Sequence, residues 1–485
     1  MSPQVSRRSF IKTVTAGAIV VGFDPIGREW VTTAAAAPSF THIPDLDGVL
    51  RTDAEALAKA SEDFGYIISR SPMAVLEPES VQDIVKMVRF AREHHLKIAG
   101  RGQGHSTYGQ PLVEAGIVID MNKLNTIHSI DDDRAIVDAG VLWSQLLRES
   151  LPQGVTPPVL TDYIELTVGG TLAVGGIGGA THRYGLQVDN VLELEVVTGR
   201  GQLKTCSPKR NRRLFYAVLA GLGQCGIIVR ATVKLIPAET NARVFILFYD
   251  DISTFTADQR RVVADGRFNY VEGQLVPDGQ GGWRYFLEAA SFYTPPNEPD
   301  NASLLEDLSY VVGDEAIDDR TYFDFLNRLA PTVEFLISIG AWFLPHPWFD
   351  VFIPSSQVDQ YVGDIATNLT LEDTGQGPVL LYPVETKRFT VPFFRVPDEP
   401  VVFLFDILRT APSLEVAEQM VVDNRTLFER NRDLGGFRYA IGAIPFSRRD
   451  WRQHFGRVWR AFRGNKRKFD PDNVLTPGQG IFGNH

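Results

Sequence analysis

The densest run of residues able to do chemistry is GRGQGHSTYGQ, Gly100 to Gln110, where glycines at 100, 102 and 104 lead into His105 and Ser106. Such glycines let successive backbone N–H groups converge on one point and form a nest for phosphate oxygens. The spacing is neither GxxxxGK[ST] nor GxGxxG, so it supports no P-loop and no nicotinamide-type fingerprint. Taken alone, a loop of this kind is more often a plain tight turn. A second stretch, Leu166 to Tyr184, changes that weighting with Thr167-Val168-Gly169-Gly170-Thr171-Leu172 followed by Gly175-Gly176 and Gly178-Gly179. Its glycine density argues against a regular helix or a central strand, leaving close-packed turns or a surface against which something is pressed. Two such loops in one domain point to a pyrophosphate-bridged dinucleotide.

The elements that must hold these loops are legible as short periodic segments. VLEPESVQDIVKMVRF, Val75 to Phe90, reads as a strand running into an amphipathic helix, with Pro78 at a first helical position and Val81, Ile84, Val85 and Val88 at helical spacing. Lys97 to Ala99, Ile117 to Asp120 and Ala135 to Ala139 read as strands, and Val141 to Ser150 as a second helix. Further strands, Val191 to Thr198, Gln202 to Cys206 and Gly226 to Ile236, complete a first domain near Pro237. From Asn241 to Arg438 glycine thins out and aromatics and prolines rise. Strand-like runs at Val244 to Tyr249, Tyr285 to Ala290 and Val401 to Ile407 alternate there with amphipathic segments Thr321 to Ile337 and Leu414 to Arg430. The reading is an α+β protein of two domains, 41–240 and 241–440, with residues 441–485 as a closing segment.

Composition sets the outer limits. With 485 residues, 44% of them hydrophobic, the protein is large enough to bury sizeable cores, and a formal charge of -11 gives the body no bulk attraction to a phosphate backbone, so nucleic acid is not an expected partner. Cys206 and Cys225 form no disulfide framework and no metal-ligand spacing, and both are read as core residues. At the N-terminus, Ser6-Arg7-Arg8-Ser9-Phe10-Ile11-Lys12 precedes the apolar stretch Thr13 to Phe23 and the small-residue run Ala34 to Ala37. Residues 1–36 therefore resemble a twin-arginine signal, which predicts export of a folded, cofactor-loaded protein to the periplasm or beyond. The apolar stretch is too short to span a bilayer.

Taken together the motifs resemble the vanillyl-alcohol-oxidase-type (PCMH-type) FAD-linked oxidoreductases, and within them the cytokinin dehydrogenases. The resemblance covers about Ser71 to Phe482: GRGQGHSTYGQ looks like the flavin-attachment loop, and TDYIELTVGGTLAVGGIGG, Thr161 to Gly179, looks like the central flavin-contact segment. Asn190 to Ser207, Leu214 to Ala231 and the closing FDPDNVLTPGQGIF, Phe469 to Phe482, follow in the family's order.

What the resemblance implies is specific by residue. His105 matches the histidine covalently bonded to FAD, and Gly102, Gln103, Gly104, Ser106 and Gln110 match the loop around the pyrophosphate and flavin. Gln103 stands where the family often has Arg. Thr167, Ala173, Ile177 and Ile228 match later flavin contacts, with core packing an equal account of the apolar ones. Thr476 and Gln479 match the C-terminal contact, which would return the tail to the flavin domain. Asp162 matches the catalytic Asp that takes a proton from the substrate amine as hydride leaves the adjacent carbon. Glu288, in YFLEAASFY, matches a substrate-domain carboxylate that orients an adenine-type ring; the middle region otherwise matches through YVEG and LLYPVETKRF. The expected substrate is thus an N6-substituted adenine, cleaved to adenine and an aldehyde, with a quinone-like compound or O2 as final acceptor. An oxidase of sugars, alditols or other alcohols and amines in the same fold is the alternative, and a binding protein without turnover a second. No metal site is expected.

Overall fold

The computed structural model describes residues 43–375 and 377–483, together with the backbone of three short strands, Ile19–Asp24, Glu29–Ala34 and Ala37–His42, which pair only with one another. The paired arginines and Thr13 to Ala18 of the apolar stretch lie outside the described residues.

Between residues 43 and 237 the polypeptide builds two larger sheets, with the short pair Val155–Thr156 and Ile236–Pro237 beside them. The first has strands β1 (Val49–Arg51), β2 (Ala74–Glu77), β3 (Ile98–Arg101) and β4 (Ile117–Asp120) in the order β1-β2-β4-β3, with β4 parallel to both β2 and β3. Helix α1 (Val81–Glu93) makes the β2-to-β3 crossover and buries Ile84, Val85 and Val88, as their spacing requires. It starts later than expected. Ser80 is its N-cap and exchanges hydrogen bonds with Asp83, so Pro78 stands ahead of the helix and not within its first turn. The second sheet is antiparallel, with β5 (Ile127–Ile130), β6 (Arg134–Asp138), β7 (Val191–Val197), β8 (Leu203–Cys206) and β9 (Ile227–Lys234) in the order β8-β7-β9-β6-β5. Cys206 and Cys225 are buried, unbonded core residues whose thiols burial pushes up to about 12.

The glycine-dense stretch does contain helix, contrary to its composition. α2 (Val168–Val174) is capped by Thr167, whose Oγ1 accepts from Gly170 N–H at 3.3 Å, and Thr181–Tyr184 forms one further turn. Glycine is tolerated in α2 because close approach repays its entropy: a Cβ on Gly169 would lie 2.7 Å from that of Ala139.

After Asn241 the polypeptide forms one eight-stranded antiparallel sheet. Its strands are β10 (Asn241–Tyr249), β11 (Tyr270–Pro277), β12 (Trp283–Tyr293), β13 (Ala316–Thr321), β14 (Phe349–Pro354), β15 (Val379–Glu385), β16 (Val401–Ile407) and β17 (Phe437–Arg438), ordered β13-β10-β12-β11-β15-β16-β14-β17. Side-chain alternation gives the sheet two different faces. Phe245, Val271, Leu287, Leu381, Phe403 and Phe405 pack with Phe255 and Val262 of α3 (Ile252–Asp265). Tyr270, Ala290, Leu380, Tyr382, Leu404 and Phe352 point the other way, into the core shared with the first domain. The expected helix Thr321 to Ile337 is broken into α4 (Tyr322–Leu326) and α5 (Ala330–Ser338), with Pro331 opening the second. Helix α6 (Leu414–Asp433) forms as read, buries Met420 and Phe428, and runs on to Asp433.

The tail does return to the first domain. Ile98 N–H donates to Val474 O at 2.9 Å and Thr476 N–H to Ile98 O at 2.7 Å, extending the first sheet beside β3. Asp470 fixes this turn: its carboxylate accepts from Val474 and Leu475 N–H and from the buried Lys466 ammonium at 2.7 Å. Among the described residues no helix is long and apolar enough to cross a membrane.

Candidate active site

The two glycine-rich loops meet. Gly102 packs on the capping residue of α2 so closely that a Cβ there would lie 2.1 Å from Thr167 Oγ1. Beyond β3 the backbone N–H groups of Gln103, Gly104, His105 and Ser106 have no acceptor among the described residues, and Gly104 turns the backbone with φ +67°. The carbonyls of this run face the opposite way and are taken up: Gly104 O accepts from Phe64 N–H at 2.8 Å, and Ser106 O from Gly65 N–H at 3.3 Å. Four consecutive free donors beside the α2 N-cap fit the pyrophosphate of a dinucleotide. Gln479, which the tail brings back, adds a buried Oε1 without a partner, and Ile177 and Ile228 are buried apolar neighbours in the same core. Ala173 lies on α2, with its carbonyl accepting from Leu222 N–H.

Three of the expected contact residues make side-chain hydrogen bonds within the protein. Gln103 is exposed and its amide donates to Asn122 Oδ1, while Asn122 donates to Gly102 O. Gln110 is buried, accepts from Tyr108 N–H and donates to Ile441 and Gly442 carbonyls. Thr476 adopts φ +49° and gives its hydroxyl to Gly223 O. These side chains brace the loops and leave the free backbone donors to face a ligand.

His105 sits in an aromatic box. Phe64 lies 4.1 Å from its ring centroid, Tyr163 5.0 Å, Trp348 5.4 Å and Trp342 5.9 Å. The imidazole makes no hydrogen bond among the described residues, and burial, reinforced by the nearby His346, lowers its pKa to about 3. It is therefore neutral, with a free ring nitrogen, at any physiological pH. Phe64 also stacks on His346 at 4.2 Å, so the Asp63–Tyr66 turn clasps the loop from below; Asp63 itself accepts from Gly109 N–H at 2.6 Å.

Facing this loop across the domain junction is a cluster of charge. Sheet register places Glu272 of β11 directly opposite Glu288 of β12, on the face turned toward the first domain. Two like charges in such a pair repel, and Arg328, in the turn between α4 and α5, resolves the repulsion. Its Nη2 lies 3.0 Å from Glu272 Oε2 and its Nε 3.0 Å from Glu288 Oε1. The same Nη2 is 3.0 Å from Asp162 Oδ1, which also accepts from the Tyr270 hydroxyl at 2.5 Å. The guanidinium is held well above its ordinary range because burial is outweighed by Tyr270 and the three carboxylates.

The carboxyls of Asp162 and Glu272 split in opposite directions. Burial works against ionisation of Asp162, but Arg328 and the hydrogen bonds from Glu272, Tyr270 and Arg328 bring it below the usual carboxylate range. Glu272 is pushed well above its range by burial and by Asp162. The shifts favour the ionised form of Asp162 and the protonated form of Glu272, with the Tyr270 hydroxyl 2.5 Å from both carboxyls. Glu288, the carboxylate singled out in the sequence, reaches the cluster through Arg328, and Glu272 is the one bonded to Asp162. The signal for Glu272 was the YVEG alternation, which sets Tyr270 and Glu272 on one face. Arg328 gave none, because a single arginine in a helix-breaking turn is indistinguishable from a surface residue until the turn is placed.

A family model described as "FAD binding domain" matches residues 72–207, and one described as "Cytokinin dehydrogenase 1, FAD and cytokinin binding" matches residues 274–482. The protein is 42% identical over 434 residues to the uncharacterised oxidoreductase ORF5 of the fasciation locus of Rhodococcoides fascians, covering 89% of its own length and 99% of the relative. It is 36% identical over 476 residues to cytokinin dehydrogenase 2 of Arabidopsis thaliana, covering 90% and 94%. Cytokinin dehydrogenase 10 of Oryza sativa subsp. japonica is 36% identical, covering 90% and 89%.

Proposed function

Since the protein belongs to the cytokinin dehydrogenase family and is an FAD-dependent oxidoreductase, we propose that it oxidises the C–N bond to the N6 substituent of an N6-substituted adenine, giving an imine that hydrolyses to adenine and an aldehyde. FAD, when bound, supplies the acceptor for the hydride that leaves the carbon beside the nitrogen, and passes the electrons to a quinone-like compound or O2. The observation that carries this reading is the Asp162 carboxylate at the junction of the two domains, held by Tyr270 at 2.5 Å and tied to Glu272 through the shared Arg328. Asp162 accepts the amine proton, and Glu272 keeps its carboxylate oriented and spreads the arriving charge across the pair. Arg328 holds the group together before substrate enters and yields Asp162 Oδ1 to the amine. Tyr270 keeps that oxygen aimed by its own hydrogen bond. The box of Phe64, Trp342 and Trp348 excludes water around His105, whose neutral, unbonded imidazole suits it to carry the flavin covalently. Export through the twin-arginine segment belongs to the same proposal, because a covalently held cofactor survives dilution outside the cytoplasm.

The test is an absorption spectrum of purified protein before and after acid precipitation, followed by anaerobic N6-isopentenyladenine. Yellow colour that stays with the pellet supports attachment, and bleaching supports the reaction. Colour that bleaches with sugars or alditols and not with the adenine overturns the substrate, and flavin lost to the supernatant overturns covalent attachment.

A further inference from the structure

The face of the large sheet that carries Glu272 carries a second pair of acids that the reaction above does not use. Gln274 of β11 pairs with Leu380 of β15, Leu380 with Asp406 of β16, and Asp406 with Asp350 of β14, so Asp406 and Asp350 are direct cross-strand neighbours on the site side. Strand spacing puts Asp406 two strands across and two residues along from Glu272, about 12 Å away. Tyr382, Leu380 and Leu404 form the apolar floor between them.

Neither aspartate is paired with a cation: among the described residues no ion pair or hydrogen bond reaches either carboxyl group, and the nearby Arg438 gives its Nη2 to Gly442 O. Asp350 is 0% exposed and both its oxygens are enclosed, packed against Gly442; Asp406 is 5% exposed with only Oδ1 enclosed. Burial pushes Asp350 up to about 8, and burial with the charges of Asp350 and Asp162 pushes Asp406 well up too. Both acids are thereby biased toward the protonated form, and Asp406 Oδ2 is the one carboxyl oxygen of the four that is not enclosed, an acceptor in either protonation state when the proton sits on Oδ1.

We propose that the Asp350–Asp406 pair is a second polar subsite on the same sheet face as Glu272, in which Asp406 accepts a hydrogen bond from a hydroxyl or ring N–H at the end of the substrate away from the oxidised C–N bond. The inference rests on the adenine reading, since it needs a substrate that reaches from Asp162 to Asp406. A purine with a short N6 substituent has that reach, and it offers either a ring N–H or a hydroxyl on the substituent. A site built around a buried acceptor discriminates strongly against an analogue that lacks the donor, because the acceptor is then left unpaired.

The experiment uses flavin-loaded protein and two substrate pairs. N6-isopentenyladenine is compared with its 9-methyl derivative, which removes the ring donor, and with the adenine hydroxylated on the isopentenyl group, which adds one. Binding of each to the oxidised enzyme under anaerobic conditions and kcat/KM are both read. The expected result is a preference of about tenfold or more for the donor-bearing member of one pair, falling toward one in Asp406→Leu. The pair that responds identifies the source of the donor. Equal treatment of both pairs by the wild type overturns the proposal without any variant, as does a preference that Asp406→Leu keeps; should that variant lose its flavin, Asp406→Asn is read in its place, with the same fall expected. If no adenine bleaches the flavin, the function itself fails, which is a different outcome from bleaching without donor preference.

Discussion

At the scale of single residues the site is organised by what burial does to charge. A lone buried carboxylate is costly, and the protein uses one arginine to hold three of them. Arg328→Met leaves Glu272 and Glu288 facing each other without their cation and is expected to cost about 3–5 kcal/mol, read as a lower midpoint in urea melts. A variant as stable as the wild type would show that the three contacts do not matter to the fold. Asp162→Asn keeps the shape and removes the proton acceptor. Flavin content should be unchanged while anaerobic reduction by N6-isopentenyladenine slows by about 10²–10⁴. Normal reduction in that variant removes Asp162 from the mechanism.

Elements matter here through where they stop. Strand β3 ends at Arg101, and the four free N–H groups follow at once; α2 begins at Val168, and its cap Thr167 touches the same loop. The two ends are fitted to each other at Gly102, where no side chain fits. Gly102→Ala should therefore fold but bind flavin poorly, because the loop has to move off Thr167 and the nest opens. The absorbance ratio of flavin to protein in purified material measures this, and full flavin loading would mean that the loop accommodates the methyl group elsewhere. The broken helix Thr321 to Ile337 belongs to the same scale. Helical periodicity runs through it, yet Pro331 interrupts it, and the interruption delivers Arg328 to the cluster.

For the molecule as a whole, buried acids and histidines set opposite slopes of stability against pH. Asp63 is raised to about 7 and Asp350 to about 8, chiefly by burial, so their contribution is complete below the ordinary aspartate value and is lost as pH rises through those values. His105 and His454 are lowered to about 3 by burial, so theirs is complete above the ordinary histidine value of 6.5 and is lost as pH falls. Between pH 6.5 and 8 only the acids change, and Tm should fall across that window. Asp63→Asn and Asp350→Asn should each flatten the fall in thermal melts; a slope unaltered in both variants would place its origin elsewhere.

The α+β class and the strands and helices of the first domain were legible in the amino-acid sequence, because each depends on local composition or on period within one segment; the roles expected of His105 and Asp162 came from resemblance of whole motifs and not from any local period. The glycines of α2 misled for the same local reason: Gly169 is explained by contact with Ala139, a residue of another segment. The bracing roles of Gln103, Gln110 and Thr476 were likewise invisible, since an amide or hydroxyl near a ligand loop can face either the ligand or the protein. Only the tertiary structure joined Asp162, Glu272, Glu288 and Arg328. Strand register decides which carboxylates oppose, and the placement of one turn decides which cation reaches them; both follow from long-range packing that no segment encodes by itself.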